Sequence, residues 1–144
     1  MPYLFDTDAV SELFRRRPSP AYREWLATVA RADQFTSAVV IGELFKGAFR
    51  SADRARHLEN IERRILPAVT VLPYDEAVAR TFGEIHADLA DRGRLLADPD
   101  LQIAATALYH QLELVTGNIR HFARVPGLQI NKALTDSRAR SPSE

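Results

Sequence analysis

Short apolar runs alternate with longer stretches of helical periodicity along the chain, and this alternation constrains the fold more than any other sequence feature. The apolar runs predict strands at residues 3–6, 34–36, 69–72, 114–116 and 128–130. Strands that alternate with helices pack as parallel sheets with both faces covered. The sequence therefore predicts an α/β fold, with a central, mostly parallel sheet of four to five strands flanked by helices on both faces.

Apolar residues at helical spacing predict the main helices at residues 38–49, 51–66, 76–92 and 98–111. Two of these helices fall between the second and third strands, which predicts a helical protrusion beside the sheet. The 144 residues contain no internal repeat or linker, so we expect a single domain over residues 1–131. Residues 132–144 are polar and are expected to form a flexible tail.

The composition excludes some chemistries and leaves one question open. The chain has no cysteine, which excludes a thiol nucleophile, an iron–sulfur cluster and a disulfide framework. Its net charge is zero, yet 17 of its 19 basic residues are arginine, whose guanidinium groups match phosphate oxygens. Codon bias and phosphate contact both explain this preference. No secretory signal or membrane-length apolar run is visible, so we expect a cytoplasmic protein with no membrane contact.

Acidic and small polar side chains cluster where predicted strands end, or on the helices next to those ends. Ligands of open parallel sheets bind beyond the carboxyl ends of the strands. The residues concerned are Asp6, Thr7, Asp8, Glu43, Asp98, Asp100, Thr116 and Asn118. Oxygen ligands without cysteine or clustered histidine suit Mg²⁺ or Mn²⁺ better than zinc.

Each acid also has a purely structural explanation. Asp6 could initiate a turn at the end of its strand. Asp98 precedes a proline and is typical of a helix N-cap, and Asp100 would then sit favourably in the first turn. Glu43 could pair with Lys46 one turn further along its helix. The residues alone leave these alternatives open.

Four segments in order resemble the PIN-domain ribonucleases, specifically the VapC toxins of bacterial toxin–antitoxin pairs. The first two are Phe-Asp-Thr-Asp-Ala-Val-Ser at 5–11 and Ile-Gly-Glu-Leu at 41–44. The third is Asp-Leu-Gln-Ile-Ala-Ala-Thr-Ala-Leu at 100–108, and the fourth runs from Leu-Val-Thr-Gly-Asn-Ile-Arg-His-Phe to Leu over 114–128. The resemblance covers nearly the whole chain and implies a PIN-like fold.

The resemblance also implies a site and an activity. It makes Asp6, Glu43 and Asp100 the catalytic acids and the ligands of Mg²⁺ or Mn²⁺, with further candidates in Asn118 and Asp98. Thr7 or Ser11 would steady Asp6, and Thr116 would face the pocket from the fourth strand. The implied activity is metal-dependent endoribonuclease cleavage of RNA, such as a structured transfer RNA.

The same resemblance implies partners: a VapB-type antitoxin, an RNA substrate and a second copy of the toxin in a homodimer. Six arginines lie nearest the pocket along the sequence and are candidate RNA contacts: Arg15, Arg16, Arg17, Arg92, Arg94 and Arg120. The family often has a fourth acid in the last segment, where this chain has Asn118 and His121. That departure leaves open whether the pocket holds one ion or two.

Two other functions stay open at this point. Asp6-Thr7-Asp8 fits the strand-terminal motif of haloacid-dehalogenase-like phosphatases, which would need Lys132 and Asp136 as their lysine and acid. A catalytically inert PIN-fold binding module, acting through partners alone, is the second alternative.

Overall fold

Five short parallel strands form the sheet in the computed structural model, which describes residues 2–140. The strands are β1 (Tyr3–Phe5), β2 (Gln34–Ser37), β3 (Thr70–Leu72), β4 (Glu113–Val115) and β5 (Ile130–Asn131). They lie in the order β3-β2-β1-β4-β5, and every neighbouring pair is parallel. The predicted parallel α/β fold is confirmed.

The central strands are apolar because both of their faces are covered. Leu4 of β1 and Leu114 and Val115 of β4 are fully buried, and Phe5 is only 3% exposed. In the register of the sheet, Phe5 lies between Thr36 of β2 and Val115 of β4. A continuous apolar run, rather than an alternating one, is expected for a strand in this position.

Eight α-helices surround the sheet in the described part of the chain. The chain runs outward from β1 through β2 to β3, and then returns to β4 on the other side of β1. Because crossovers between parallel strands are right-handed, this reversal places the helices of the two halves on opposite faces. The helices are α1 (Thr7–Ser11), α2 (Pro20–Ala27), α3 (Ala38–Arg50), α4 (Arg54–Asn60), α5 (Glu76–Asp91), α6 (Asp98–His110), α7 (Ile119–Phe122) and α8 (Ala133–Arg140). Within residues 2–140, none of the helices is both long and apolar enough to cross a bilayer.

The helix predicted over residues 51–66 is shorter and less regular than its periodicity suggested. It begins at Arg54 as α4 and continues as a π-helical turn (Ile61–Ile65) and a 3₁₀ turn (Leu66–Ala68). Pro67 lies in this last turn, and proline has no backbone N–H to continue an α-helix. Ile61 and Ile65 are nevertheless buried, which explains the helical spacing of apolar residues in the sequence.

The polar tail expected after residue 131 is a helix for most of its length, so the expectation of a flexible tail is wrong for this part. Helix α8 spans Ala133–Arg140 and packs against α2. Leu134 is fully buried and Ser137 is 5% exposed. A single apolar anchor in two turns gives almost no periodic signal, which is why the sequence pattern missed this helix. Residues 141–144 of the predicted tail lie outside the described residues.

We expect Leu134→Ala to lower the free energy of unfolding by about 2–5 kcal/mol, because it removes a fully buried side chain and leaves a cavity. Urea denaturation followed by circular dichroism measures the change. Lys132→Ala, at an exposed position just before α8, is the matched control and should unfold like the unsubstituted protein. Equal stability of both variants would contradict the packing of α8 against the domain.

Candidate active site

A cavity of about 230 Å³ opens at the carboxyl ends of β1 and β4. These two strands flank the point where the winding of the sheet reverses, which is where open α/β sheets bind ligands. The cavity is lined by residues from α1, α3, α6 and α7 and from the segments that precede α1 and α7: Asp6, Thr7, Asp8, Glu43, Asp100, Ile103, Asn118 and Phe122. The structure thus brings together Asp6, Glu43, Asp100 and Asn118, which are far apart in the sequence.

Asp6 is the most buried acid of the cavity, with 6% of its surface exposed. It follows β1 directly and caps α1, where its Oδ1 accepts a hydrogen bond from the Ala9 N–H at 2.8 Å. Burial raises the pKa of Asp6 to about 6, although hydrogen bonds from the Thr116 hydroxyl and the Ala9 N–H act to lower it. The charges of Asp8 and Asp100 raise this pKa further.

The hydroxyls of Thr7 and Ser11, which were expected to steady Asp6, lie elsewhere, and Asp6 is instead hydrogen-bonded by Thr116. Thr7 Oγ1 donates to Glu43 Oε1 at 2.5 Å, so it fixes the helix-borne acid of α3. Ser11 lines a neighbouring groove of about 420 Å³ that also includes Thr7 and Glu43. Thr116 is fully buried, hydrogen-bonds to Asp6, and accepts the Asn118 N–H at 2.9 Å.

A histidine that was not among the predicted site residues lies against the third acid. His121 Nε2 on α7 is 2.8 Å from Asp100 Oδ2 on α6. The side chains of His121 and Asp100 are 24% and 35% exposed, so the pair lies at the rim of the cavity. The two residues are 21 positions apart on different helices, a separation at which no spacing pattern predicts contact.

Asp98 lies outside this cavity. It is the first residue of α6 rather than its N-cap, which is Ala97. Its side chain is 67% exposed and lies 3.9 Å from His86 of α5. This position at the helix N-terminus is favourable for a carboxylate without any metal, because of the helix dipole.

The six candidate RNA-binding arginines are all exposed, and none of them lines the cavity itself. Arg15 contacts Glu12 at 3.2 Å and borders the groove that adjoins the cavity. Arg92 contacts Asp88 at 3.2 Å within the last turns of α5. Arg120 lies on α7, between the cavity residues Asn118 and Phe122. Of these three, Arg120 is nearest along the chain to residues that line the cavity, two positions from both Asn118 and Phe122.

The donor set of the cavity suits a hard divalent cation. Carboxylates and the Asn118 side-chain carbonyl are oxygen ligands. A bound cation would offset the burial and, to a lesser extent, the neighbouring charges that raise the pKa of Asp6. Within residues 2–140, no three acidic or histidine side chains form a closed ligand cluster. Mg²⁺ commonly binds through one or two carboxylates and keeps several waters, so the residues fit without such a cluster.

The arrangement required of a haloacid-dehalogenase-like phosphatase is not found at this cavity. Lys132 and Asp136 line a different cavity, between α2 and α8, together with Trp25 and Arg140. The chain has only one other lysine, Lys46, which is exposed on α3 and does not line the acidic cavity. The acids therefore have no lysine beside them.

Comparison with known proteins gives one family and close relatives along nearly the whole chain. The model of the PIN domain family matches residues 3–128. The chain is 33% identical over 124 residues to the toxin FitB of Neisseria gonorrhoeae, covering 83% of this chain and 89% of that protein. It is 32% identical over 129 residues to the tRNA(fMet)-specific endonuclease VapC of Shigella flexneri, covering 90% and 96% of the two proteins.

A solved structure gives the same result for the fold. The structure of VapBC-1 from nontypeable Haemophilus influenzae superposes with a TM-score of 0.81 at 30% sequence identity. The match covers 91% of this chain and 97% of that chain.

We expect the free energy of unfolding to rise as the pH is lowered from about 6 to about 4 when divalent ions are removed. The Asp6 carboxyl holds its proton more tightly in the folded chain than in the unfolded chain, so the free energy of unfolding falls as pH rises through this window. Asp6→Asn removes the buried charge and should be more stable than the unsubstituted protein by about 2–3 kcal/mol at neutral pH. Urea titrations in chelator, near pH 4 and pH 7.5, measure both effects, and a variant that is less stable at neutral pH would contradict this account.

Proposed function

The chain belongs to the PIN domain family, and from this premise we propose that it is the metal-dependent endoribonuclease toxin of a toxin–antitoxin pair. The observation that carries the proposal is the acidic cavity at the ends of β1 and β4. Asp6, Glu43 and Asp100 come from three separate segments, 94 residues apart at the extremes, and meet in this one cavity. Carboxylates that meet in one cavity form the set of oxygen ligands that Mg²⁺ prefers, and a bound Mg²⁺ ion promotes the hydrolysis of a phosphodiester.

The residues of the cavity have different roles in this reaction. When bound, Mg²⁺ or Mn²⁺ supplies an activated water and the positive charge that offsets the developing charge on phosphate. Asp6 and Asp100 hold the ion, and Thr116 and His121 fix these two carboxylates through hydrogen bonds. Glu43, held in place by Thr7, orients the attacking water.

The substrate proposed for this chain is structured RNA, such as a transfer RNA. The relative from Shigella flexneri is named for tRNA(fMet). In this chain Asp100 and His121 lie at the rim of the cavity, and the exposed Arg120 lies on the same helix as His121. Because the acids at the cavity repel phosphate unless a cation is present, the RNA backbone must be held by arginines outside the cavity. An RNA-cleaving toxin acts in the cytoplasm, where its substrate is.

The partners proposed are a VapB-type antitoxin and a second copy of the chain. The antitoxin follows from the likeness to the VapBC-1 structure. A second copy would cover the exposed apolar end of α3, where Phe49 is 52% exposed and stacks on Phe45 with Arg54 nearby. The buried residues of α3 and the π-helical turn, such as Val40 and Ile61, belong to the core instead.

The one observation that favours an inert binding module is the lack of a closed ligand cluster among the described residues. Titration with Mn²⁺ by calorimetry separates the two functions. An inert module takes up no ion at millimolar concentration, whereas the proposed nuclease binds Mn²⁺ at Asp6 and Asp100.

We expect Asp6→Asn to lower the rate of RNA cleavage by about 100-fold or more, because it removes a buried ligand charge at the reacting centre. Cleavage of a defined transfer RNA, followed by sequencing of the cut ends, measures the effect. Asp91→Asn, at the exposed end of α5, is the matched control and should cleave at the unsubstituted rate. Equal rates for the Asp6 variant and the control would place the chemistry elsewhere.

We expect Arg120→Gln to weaken RNA binding without changing the cut position, because it removes one phosphate contact beside the cavity. The slope of log affinity against log salt should fall by about 0.7–0.9 for the loss of a single contact. Filter binding over a range of salt concentrations gives this slope. Arg80→Gln, on α5 and paired with Glu84, is the control; if it changes the slope equally, Arg120 has no specific role.

A further inference from the structure

The side chain of Arg138, from the helix that follows the segment matched by the PIN family model, reaches the wall of the acidic cavity. We propose that Arg138 is a positioning residue that acts as a permanent cation there and withdraws Asp8 from metal binding, so that each chain takes up a single divalent ion. The inference rests on the metal-dependent function proposed above, and it concerns how many ions bind rather than whether RNA is cut.

Both oxygens of Asp8 are taken by the guanidinium group of Arg138. Arg138 Nη1 donates to Asp8 Oδ2 at 3.0 Å, and Nη2 donates to Asp8 Oδ1 at 2.9 Å. This two-pronged pairing is the strongest arrangement of arginine and carboxylate. Asp8 lines the cavity and is the acid nearest to Asp6 in the sequence, so without Arg138 it would be available as a ligand.

A second, buried acid holds Arg138 in this position. Glu12 is only 2% exposed, and its Oε1 accepts hydrogen bonds from Arg138 Nε at 3.2 Å and Nη2 at 3.0 Å. The Ser19 N–H donates to the other oxygen of Glu12 at 3.0 Å. Burial acts to raise the pKa of Glu12, but the hydrogen bonds from Ser19, Arg138 and Arg15 outweigh it and lower the pKa. If Arg138 moved away, the buried carboxylate of Glu12 would lose a positively charged partner, which is costly. Arg138 is therefore held beside Asp8.

The pair of Arg138 and Asp8 also lies directly on the turn that joins β4 to α7. A Cβ atom added at Gly117 would overlap both Asp8 Oδ2 and Arg138 Nη1. Only glycine permits this approach, because any larger residue would displace the pair. Gly117 separates Thr116, which binds Asp6, from Asn118, which lines the cavity. The guanidinium is therefore built into the wall of the site.

Charge counting gives the number of ions. With Asp8 neutralised and Asn118 uncharged, the cavity keeps three carboxylates, those of Asp6, Glu43 and Asp100. One divalent ion leaves one negative charge in the cavity. A second ion would give the cavity one net positive charge, and the repulsion between the two ions opposes its binding.

The first test uses Asp8→Asn, which keeps Arg138 on Glu12 and so preserves the buried pair. Calorimetry with Mn²⁺ should give one ion per chain and an affinity within about fivefold of the unsubstituted protein, since a charge that is already paired contributes little. Loss of affinity by about 100-fold or more would make Asp8 a direct ligand and overturn the proposal. Two ions bound to the unsubstituted protein would also overturn it.

The second test releases Asp8 from Arg138. Arg138→Gln removes the guanidinium group, and Gly117→Ala places a Cβ atom where Asp8 Oδ2 and Arg138 Nη1 now lie. Each variant should bind a second Mn²⁺ ion. Asp8→Asn added to either variant should return the count to one. Arg140→Gln on the same helix is the control and should bind one ion. A folded Arg138 or Gly117 variant that still binds one ion with unchanged affinity would overturn the proposal, and if neither variant folds, the Asp8→Asn result decides.

These outcomes separate the inference from the proposed function. A chain that binds one ion and cuts no RNA contradicts the nuclease and leaves the role of Arg138 intact. A chain that cuts RNA and binds two ions contradicts the role of Arg138 and leaves the nuclease intact. Uptake of no ion overturns the inference, and cleavage in the presence of chelator then decides whether the chain is a nuclease without metal.

Discussion

The buried carboxylate of Asp6 is the feature on which the rest of the site depends. It directly follows the central strand β1 and caps α1 by accepting a hydrogen bond from the Ala9 N–H. It also accepts a hydrogen bond from the hydroxyl of Thr116, which follows the neighbouring strand β4. One side chain thus joins three elements at the reversal point of the sheet. The cost of this position is a pKa raised to about 6, because the carboxylate is removed from water and faces other acids.

The other acids of the cavity are each held by a partner from a different element. Thr7 of α1 holds Glu43 of α3, His121 of α7 holds Asp100 of α6, and Arg138 of α8 holds Asp8. Side chains fixed in this way lose little freedom when a ligand arrives, which is how a site is prepared for its reaction. In the absence of a cation, the same partners hold the carboxylates in place against their mutual repulsion.

The proposed nuclease also explains how a chain of zero net charge can work on RNA. The four acids that line the cavity repel phosphate, while exposed arginines elsewhere attract it, and a net charge of zero for the whole chain conceals this separation. A divalent ion in the cavity would offset most of this negative charge and present a positive centre to the scissile phosphate. Net charge is therefore a poor guide to the partners of this protein, whereas the distribution of charge is informative.

The sequence by itself determined the parallel sheet and most of the main helices, because apolar periodicity is a local pattern. Strand-end polarity made Asp6, Glu43 and Asp100 candidates, and only the resemblance to the PIN-domain ribonucleases singled them out. Only the tertiary structure decided what holds those acids. Thr7 turned to Glu43 rather than Asp6, and His121 and Arg138 met acids 21 and 130 positions away. The helix α8 was likewise invisible, since Leu134 alone anchors its apolar side. Contacts between distant elements depend on how helices and strands pack, and no local spacing in the chain encodes them.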